Sequence, residues 1–175
     1  MGKNIVLLGF MGTGKSIIGR RLAVELQYRF IDTDRLIEER CKKSIPEIFL
    51  DEGEPYFRKL ESEVVSEVAD LKNHVIATGG GVASNPTNLE VLEKSGVLVT
   101  LSARPEVILR RVQRRAGKRP LLKGTNPLET INRLLSEREA GYRRSAIHID
   151  TSDIRVEESV HRIVDRVSEW VGPSV

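Results

Sequence analysis

The chain has 175 residues, a net charge of +3, and 39% hydrophobic against 30% charged residues. That balance predicts one folded, soluble domain spanning 1–175 and excludes a disordered chain, which buries too little apolar surface. No apolar run approaches a membrane span, Gly2-Lys3-Asn4 before four large apolar residues does not read as a signal peptide, and the single cysteine, Cys41, suits a reducing cytoplasm.

In chain order, Ile5–Leu8 reads as a strand and runs into Gly9-Phe10-Met11-Gly12-Thr13-Gly14-Lys15-Ser16. This is the Walker A arrangement, a glycine loop whose backbone N–H groups curl around a phosphate at the start of a helix. Lys15 is placed to reach the β- and γ-phosphates and Ser16 to ligate Mg²⁺. The helix from Lys15 to about Gln27 sets Ile18, Leu22 and Leu26 on one face. A short strand at Phe30-Ile31 then ends in Asp32-Thr33-Asp34. One of these acids suffices to cap the helix that starts near Arg35. The second calls for another purpose, so Asp32 is assigned to Mg²⁺ through water and Asp34 to the acceptor substrate.

Pro55 opens a helix reaching about Asp70, on which Arg58 and Glu61 are neighbours three residues apart. They form either a surface ion pair or a carboxylate receptor in which Glu61 holds Arg58 ready. Strand Val75–Ala77 leads into Thr78-Gly79-Gly80-Gly81, more glycines than a turn requires, suggesting backbone packed against a ligand with N–H donors on offer. A fourth strand, Val97–Leu101, precedes a helix from Pro105 to Arg115 whose apolar face is interrupted by Arg111. Arg115 to Leu122 is basic and punctuated by glycine and proline, the composition of a lid that brings Arg119 onto a transferring phosphoryl group. A helix from Pro127 to about Arg143 carries Arg138, and a fifth strand, Ile147–Ile149, is followed by a helix from Val156 to Val171 with a core-facing valine stripe.

Strands alternating with helices imply a buried parallel sheet with helices on both faces, and ligands on such sheets sit at the carboxyl ends of the strands. Residues 104–123 hold eight basic side chains and one acidic, but no aromatic residue for stacking bases, which argues against nucleic acid. The Asp-x-x-Gly and Asn-Lys-x-Asp signatures of GTPases are absent, as is an acid closing the third strand, leaving metal duties to Ser16 and Asp32.

Taken jointly, the glycine loop, Asp32-Thr33-Asp34, Gly53-Glu54 with Phe57-Arg58 and Glu61, the triple glycine, Arg119-Pro120-Leu121-Leu122, and Arg138 with Tyr142-Arg143 closely resemble the shikimate kinases in order and spacing. The resemblance implies a P-loop, nucleoside-monophosphate-kinase-like three-layer α/β sandwich with a five-stranded parallel sheet in the order 2-3-1-4-5. It implies ATP-dependent phosphorylation of the shikimate 3-hydroxyl with Mg²⁺, a step toward chorismate and the aromatic amino acids. Carried over, Gly12, Thr13, Gly14, Lys15, Ser16 and Ile17 form the nucleotide cradle, with Arg115, Arg119 and Arg155 as further nucleotide contacts. Asp34, Arg58, Gly79, Gly80, Gly81 and Arg138 bind shikimate, with Lys15, Asp34 and Arg119 catalytic. The substrate-binding region is expected at about 33–61, the lid at about 112–125, and a monomer as the working form. Two rivals stay open: a related kinase acting on gluconate or a nucleoside monophosphate, and a non-catalytic nucleotide-binding regulator.

Overall fold

All five expected strands form, each within one residue of its expected ends, in a computed structural model that describes residues 3–114 and 126–170. They are β1 (Asn4–Gly9), β2 (Arg29–Asp32), β3 (His74–Ala77), β4 (Gly96–Ser102) and β5 (Ile147–Asp150). The sheet is parallel throughout, in the order β2-β3-β1-β4-β5. Because strand side chains alternate between faces, β1 divides its apolar residues between two layers. Ile5 and Leu7 pack with Ile18, Leu22, Ile163 and Val167 on one side. Val6 and Leu8 pack with Val64, Val68, Leu89 and Leu92 on the other. The result is the three-layer α/β sandwich that the alternation of elements requires.

Helices α1 (Lys15–Glu25), α5 (Pro105–Gln113), α6 (Pro127–Tyr142) and α7 (Val156–Val167) follow the periodicity of the sequence, with last residues a few positions inside the expected ones, whereas α2 (Thr33–Cys41) starts two residues before the expected Arg35. Helix α3 (Ile45–Ala69) begins earlier than the proline at 55 predicts. Its first part is nucleated by Ser44, whose N–H donates to Glu47 at 2.7 Å. Gly53 then breaks it with φ 82° and ψ 169°, a conformation that favours glycine, and Pro55 opens the second part as a first-turn proline should. Helix α4 (Pro86–Ser95) is not among the expected elements. It is short, and its signal is local: Asn85 accepts from the N–H groups of Thr87 and Asn88 while Pro86 opens the first turn. A small third cluster joins α5 to α6 through Phe10, Ile108, Val112, Ile131 and Leu134.

Candidate functional site

The loops after β1, β2 and β3 converge on one cavity of about 830 Å³ at the carboxyl edge of the sheet. Gly12, Thr13, Gly14, Lys15, Ser16 and Ile17 line it, and so do Asp32, Asp34, Arg58, Gly80, Gly81 and Arg138. Gly79 and Arg155 are not among its lining residues. Arg115 and Arg119 lie outside the described residues, as does the expected lid beyond Arg114; Val112 and Gln113 are the last residues of α5.

The glycine loop turns sharply enough that Gly14, at φ 102°, caps α1 from the left-handed region. Lys15 Nζ donates to the carbonyls of Gly9 and Phe10 at 2.7 and 3.1 Å, which holds the ammonium over the loop. Ser16 Oγ donates to Asp32 Oδ2 at 2.6 Å, while Asp32 Oδ1 accepts from Arg35 N–H at 3.4 Å. Asp32 therefore caps α2 and at the same time stands beside the Walker serine. A hydroxyl and a carboxylate side by side suit Mg²⁺, which uses one or two protein oxygens and completes its shell with phosphate and water. No group of three or more His, Cys, Asp or Glu residues able to hold a metal occurs among the described residues.

Asp34 is the electrostatic centre. Its Oδ1 is buried without a hydrogen-bond partner among the described residues. Burial, reinforced by the charge of Asp32, pushes its pKa up from 3.8 to about 6, with Lys15 opposing the rise. Behind it lies Gly79, whose N–H donates to the buried Thr33 Oγ1 at 3.0 Å and is therefore not one of the donors the triple glycine was expected to offer. A Cβ at Gly79 would lie 2.5 Å from Asp34 Oδ1 and 2.9 Å from Glu61 Oε1. The absent side chain makes room for two acids. Gly79→Ala is accordingly expected to displace Asp34 and lower kcat/KM for the acceptor by about tenfold or more, with nucleotide affinity unchanged, as steady-state kinetics with each substrate varied would show.

Arg58 and Glu61 are more than a surface pair. Glu61 is 2% exposed and accepts from Arg58 Nη1 at 2.9 Å, while Glu54 accepts from Arg58 Nε and Nη2 at 3.1 and 3.0 Å. Burial raises the Glu61 pKa, and Arg58 counters it. Arg138 is equally far from a solvated surface residue: it is buried, stacks 5.2 Å above the Phe10 ring, and donates to the Gly80 carbonyl at 2.9 Å. Arg155 differs from its expected placement. It is exposed at the N-cap of α7, and its neighbours Ile154 and Val156 reach the cavity instead.

Four residues of the site, Thr33, Arg111, Tyr142 and Thr151, carry no assignment from the sequence. Thr33 and Tyr142 hold the triple glycine, Tyr142 by donating to the Gly80 carbonyl at 3.3 Å. The position of Tyr142 four residues after Arg138, on the same helix face, is the signal. Arg111 donates to the Gly12 carbonyl at 3.2 Å and to Thr151, and a charge amid the apolar stripe of α5 marks it.

A shikimate kinase family model matches residues 11–168. The chain belongs to the shikimate kinase family. The shikimate kinase of Caldanaerobacter subterraneus subsp. tengcongensis is 51% identical over 162 residues, covering 93% of this chain and 94% of that protein. Among solved structures, the shikimate kinase of Acinetobacter baumannii in complex with shikimate is similar with a TM-score of 0.92 and 36% identity, over 97% of this chain and 94% of that one. A gluconokinase from Sinorhizobium meliloti 1021 shares only the fold, with a TM-score of 0.65 at 18% identity over 97% and 93% of the two chains. The gluconate alternative thus has a likeness of architecture, whereas membership of the shikimate kinase family rests on sequence over nearly the whole chain.

Proposed function

We propose that the protein transfers the γ-phosphoryl group of ATP to the 3-hydroxyl of shikimate, giving shikimate 3-phosphate and ADP. The observation that carries the reading is that Asp34, Arg58 and Arg138 line the same cavity as the loop from Gly12 to Ser16. A phosphate cradle and a carboxylate receptor within one pocket suit an acceptor that is a small anion bearing hydroxyls.

In this mechanism the loop amides and Lys15 hold the nucleotide phosphates and oppose the charge that spreads over the transferring group. Ser16 and Asp32 would hold Mg²⁺, which when bound neutralises phosphate charge. Arg58, steadied by Glu54 and Glu61, and Arg138 grip the shikimate carboxylate. The unpartnered Oδ1 of Asp34 accepts the hydrogen of the 3-hydroxyl and aims that oxygen at the γ-phosphorus. The new O–P bond forms as the bond from the γ-phosphorus to the β,γ-bridging oxygen breaks; the hydroxyl proton passes to Asp34 and ADP leaves. The backbone of Gly80 and Gly81 lets the ring lie close. Arg115 and Arg119 belong to the nucleotide side on the motif, and Arg155, exposed at the start of α7, is at most a peripheral contact. The reading also takes the enzyme as a cytoplasmic monomer acting without nucleic acid; among the described residues no helix is long and apolar enough to cross a membrane.

The test is a coupled ADP-release assay with and without shikimate. Release that depends on shikimate and not on gluconate or a nucleoside monophosphate supports the reading, and ATP binding without transfer to any of them refutes it. The same assay carries a pH prediction. Since Asp34 must be ionised to accept the hydroxyl hydrogen, kcat/KM for shikimate is expected to fall as pH drops through about 6, its raised pKa. Stability runs the other way. Between 3.8 and about 6 the folded state holds a proton that the unfolded chain has released, so stability declines as pH rises through that window. Asp34→Asn is therefore expected to remove transfer while stabilising the protein at neutral pH by on the order of 1–3 kcal/mol, read by thermal unfolding.

A further inference from the structure

Thr151 follows β5 and is 3% exposed, far along the chain from the glycine loop yet joined to it. Its hydroxyl lies 2.9 Å from the Thr13 carbonyl and 3.0 Å from the Ser102 carbonyl. It also accepts from Arg111 Nη1 at 3.0 Å, and Arg111 Nη2 donates to the Thr151 carbonyl at 2.6 Å. A hydroxyl has one hydrogen to give. The Ser102 carbonyl already receives the N–H of Thr151 at 2.8 Å. The Arg111 donor occupies the acceptor side of the hydroxyl, whose hydrogen is within reach of both carbonyls, nearer that of Thr13.

This contact bears on the nucleotide because of how a peptide unit is built. In a trans peptide the C=O and the following N–H point in opposite directions. Fixing the Thr13 carbonyl toward Thr151 therefore turns the N–H of Gly14 away from Thr151, and Thr13, Gly14 and Thr151 all line the cavity. The peptide needs fixing. Gly14, at φ 102°, has no Cβ to oppose rotation, so little in the backbone itself resists a flip of the Thr13–Gly14 unit. Arg111 restrains the preceding carbonyl, that of Gly12, at 3.2 Å. We infer that Thr151 is a positioning residue of the phosphate cradle, its hydroxyl holding the Thr13–Gly14 peptide so that the Gly14 N–H faces the nucleotide phosphates.

The inference rests on the reading of this loop as the nucleotide cradle, and calorimetric titration of the full chain with ADP and Mg²⁺ separates the two. Thr151→Val keeps the shape and removes the hydroxyl. It is expected to weaken ADP by about tenfold or more while shikimate binding stays within about twofold, because a carbonyl left unpaired no longer fixes the peptide. Thr151→Ser, which keeps the hydroxyl, is expected to bind ADP within about threefold of the wild type. A valine variant that binds ADP like the wild type, or loses ADP and shikimate equally, overturns the inference. Should the valine variant not fold, the serine variant decides: a folded serine variant with weak ADP binding overturns it, and one with wild-type binding supports it. Wild-type protein that does not bind ADP overturns the cradle reading and this inference together.

Discussion

Replacing Lys15 by alanine is expected to lower turnover by about a thousandfold or more, with shikimate binding largely intact. The ammonium sits over the loop, bonded to the carbonyls of Gly9 and Phe10, in the cavity where phosphates would lie. Negative charge builds on the β,γ-bridging oxygen of the departing ADP only as its bond to the γ-phosphorus breaks, so the loss belongs chiefly to the transition state. It should therefore fall on kcat more than on KM for shikimate. A second consequence follows from Asp34. Lys15 is the neighbour that lowers the Asp34 pKa against burial and the charge of Asp32, so its removal lets that pKa climb further. The pH at which Lys15→Ala loses its hold on shikimate should then move upward, measurable by titrating binding across about pH 5–8. A Lys15→Ala protein that retains turnover would exclude the proposed role.

Arg58→Ala should act on the other ligand. Its guanidinium bridges Glu54, at the surface, and Glu61, which is almost wholly enclosed. Alanine removes a charge opposite the shikimate carboxylate and also strands Glu61 against burial that already raises its pKa. Because Arg58 itself is 35% exposed, the lower part of the range for charge pairs applies. Shikimate affinity should fall by about 2–3 kcal/mol, roughly 30- to 150-fold, with ATP affinity little changed. Arg58→Lys should recover only part of the loss, since an ammonium cannot match the two-pronged geometry. Equal weakening of both ligands would remove Arg58 from the acceptor pocket.

The strands and most helices can be read from the chain because their signals are local: alternating apolar runs, proline in first turns, and a glycine loop after a strand. Helix α4 and the first part of α3 escape that reading, for different reasons. Helix α4 is too short for its periodicity to stand out beyond its Asn85 cap. In α3 the break at Gly53 separates the opening turns from the rest, so that they look like a loop before Pro55. The site divides along the same line. Lys15, Asp34, Arg58 and Arg138 follow from motif spacing, and all line one cavity. Thr151 and Arg111 do not, because their bonds to Thr13 and Gly12 span 138 and 99 residues; Arg111 leaves only an interrupted apolar face on α5 as its mark, and Thr151 leaves no local pattern. Arg155 shows the converse. Its place shortly after β5 fits the motif, but the turn into α7 leaves it outside the cavity lining while Ile154 and Val156 face inward.

Asp34 also bears on any attempt to harden this protein against heat. Selection on melting temperature alone would reward Asp34→Asn, the replacement expected to silence transfer, because the enclosed carboxylate opposes folding at neutral pH. Greater heat resistance with turnover kept is therefore expected from changes elsewhere in the molecule, with position 34 left untouched.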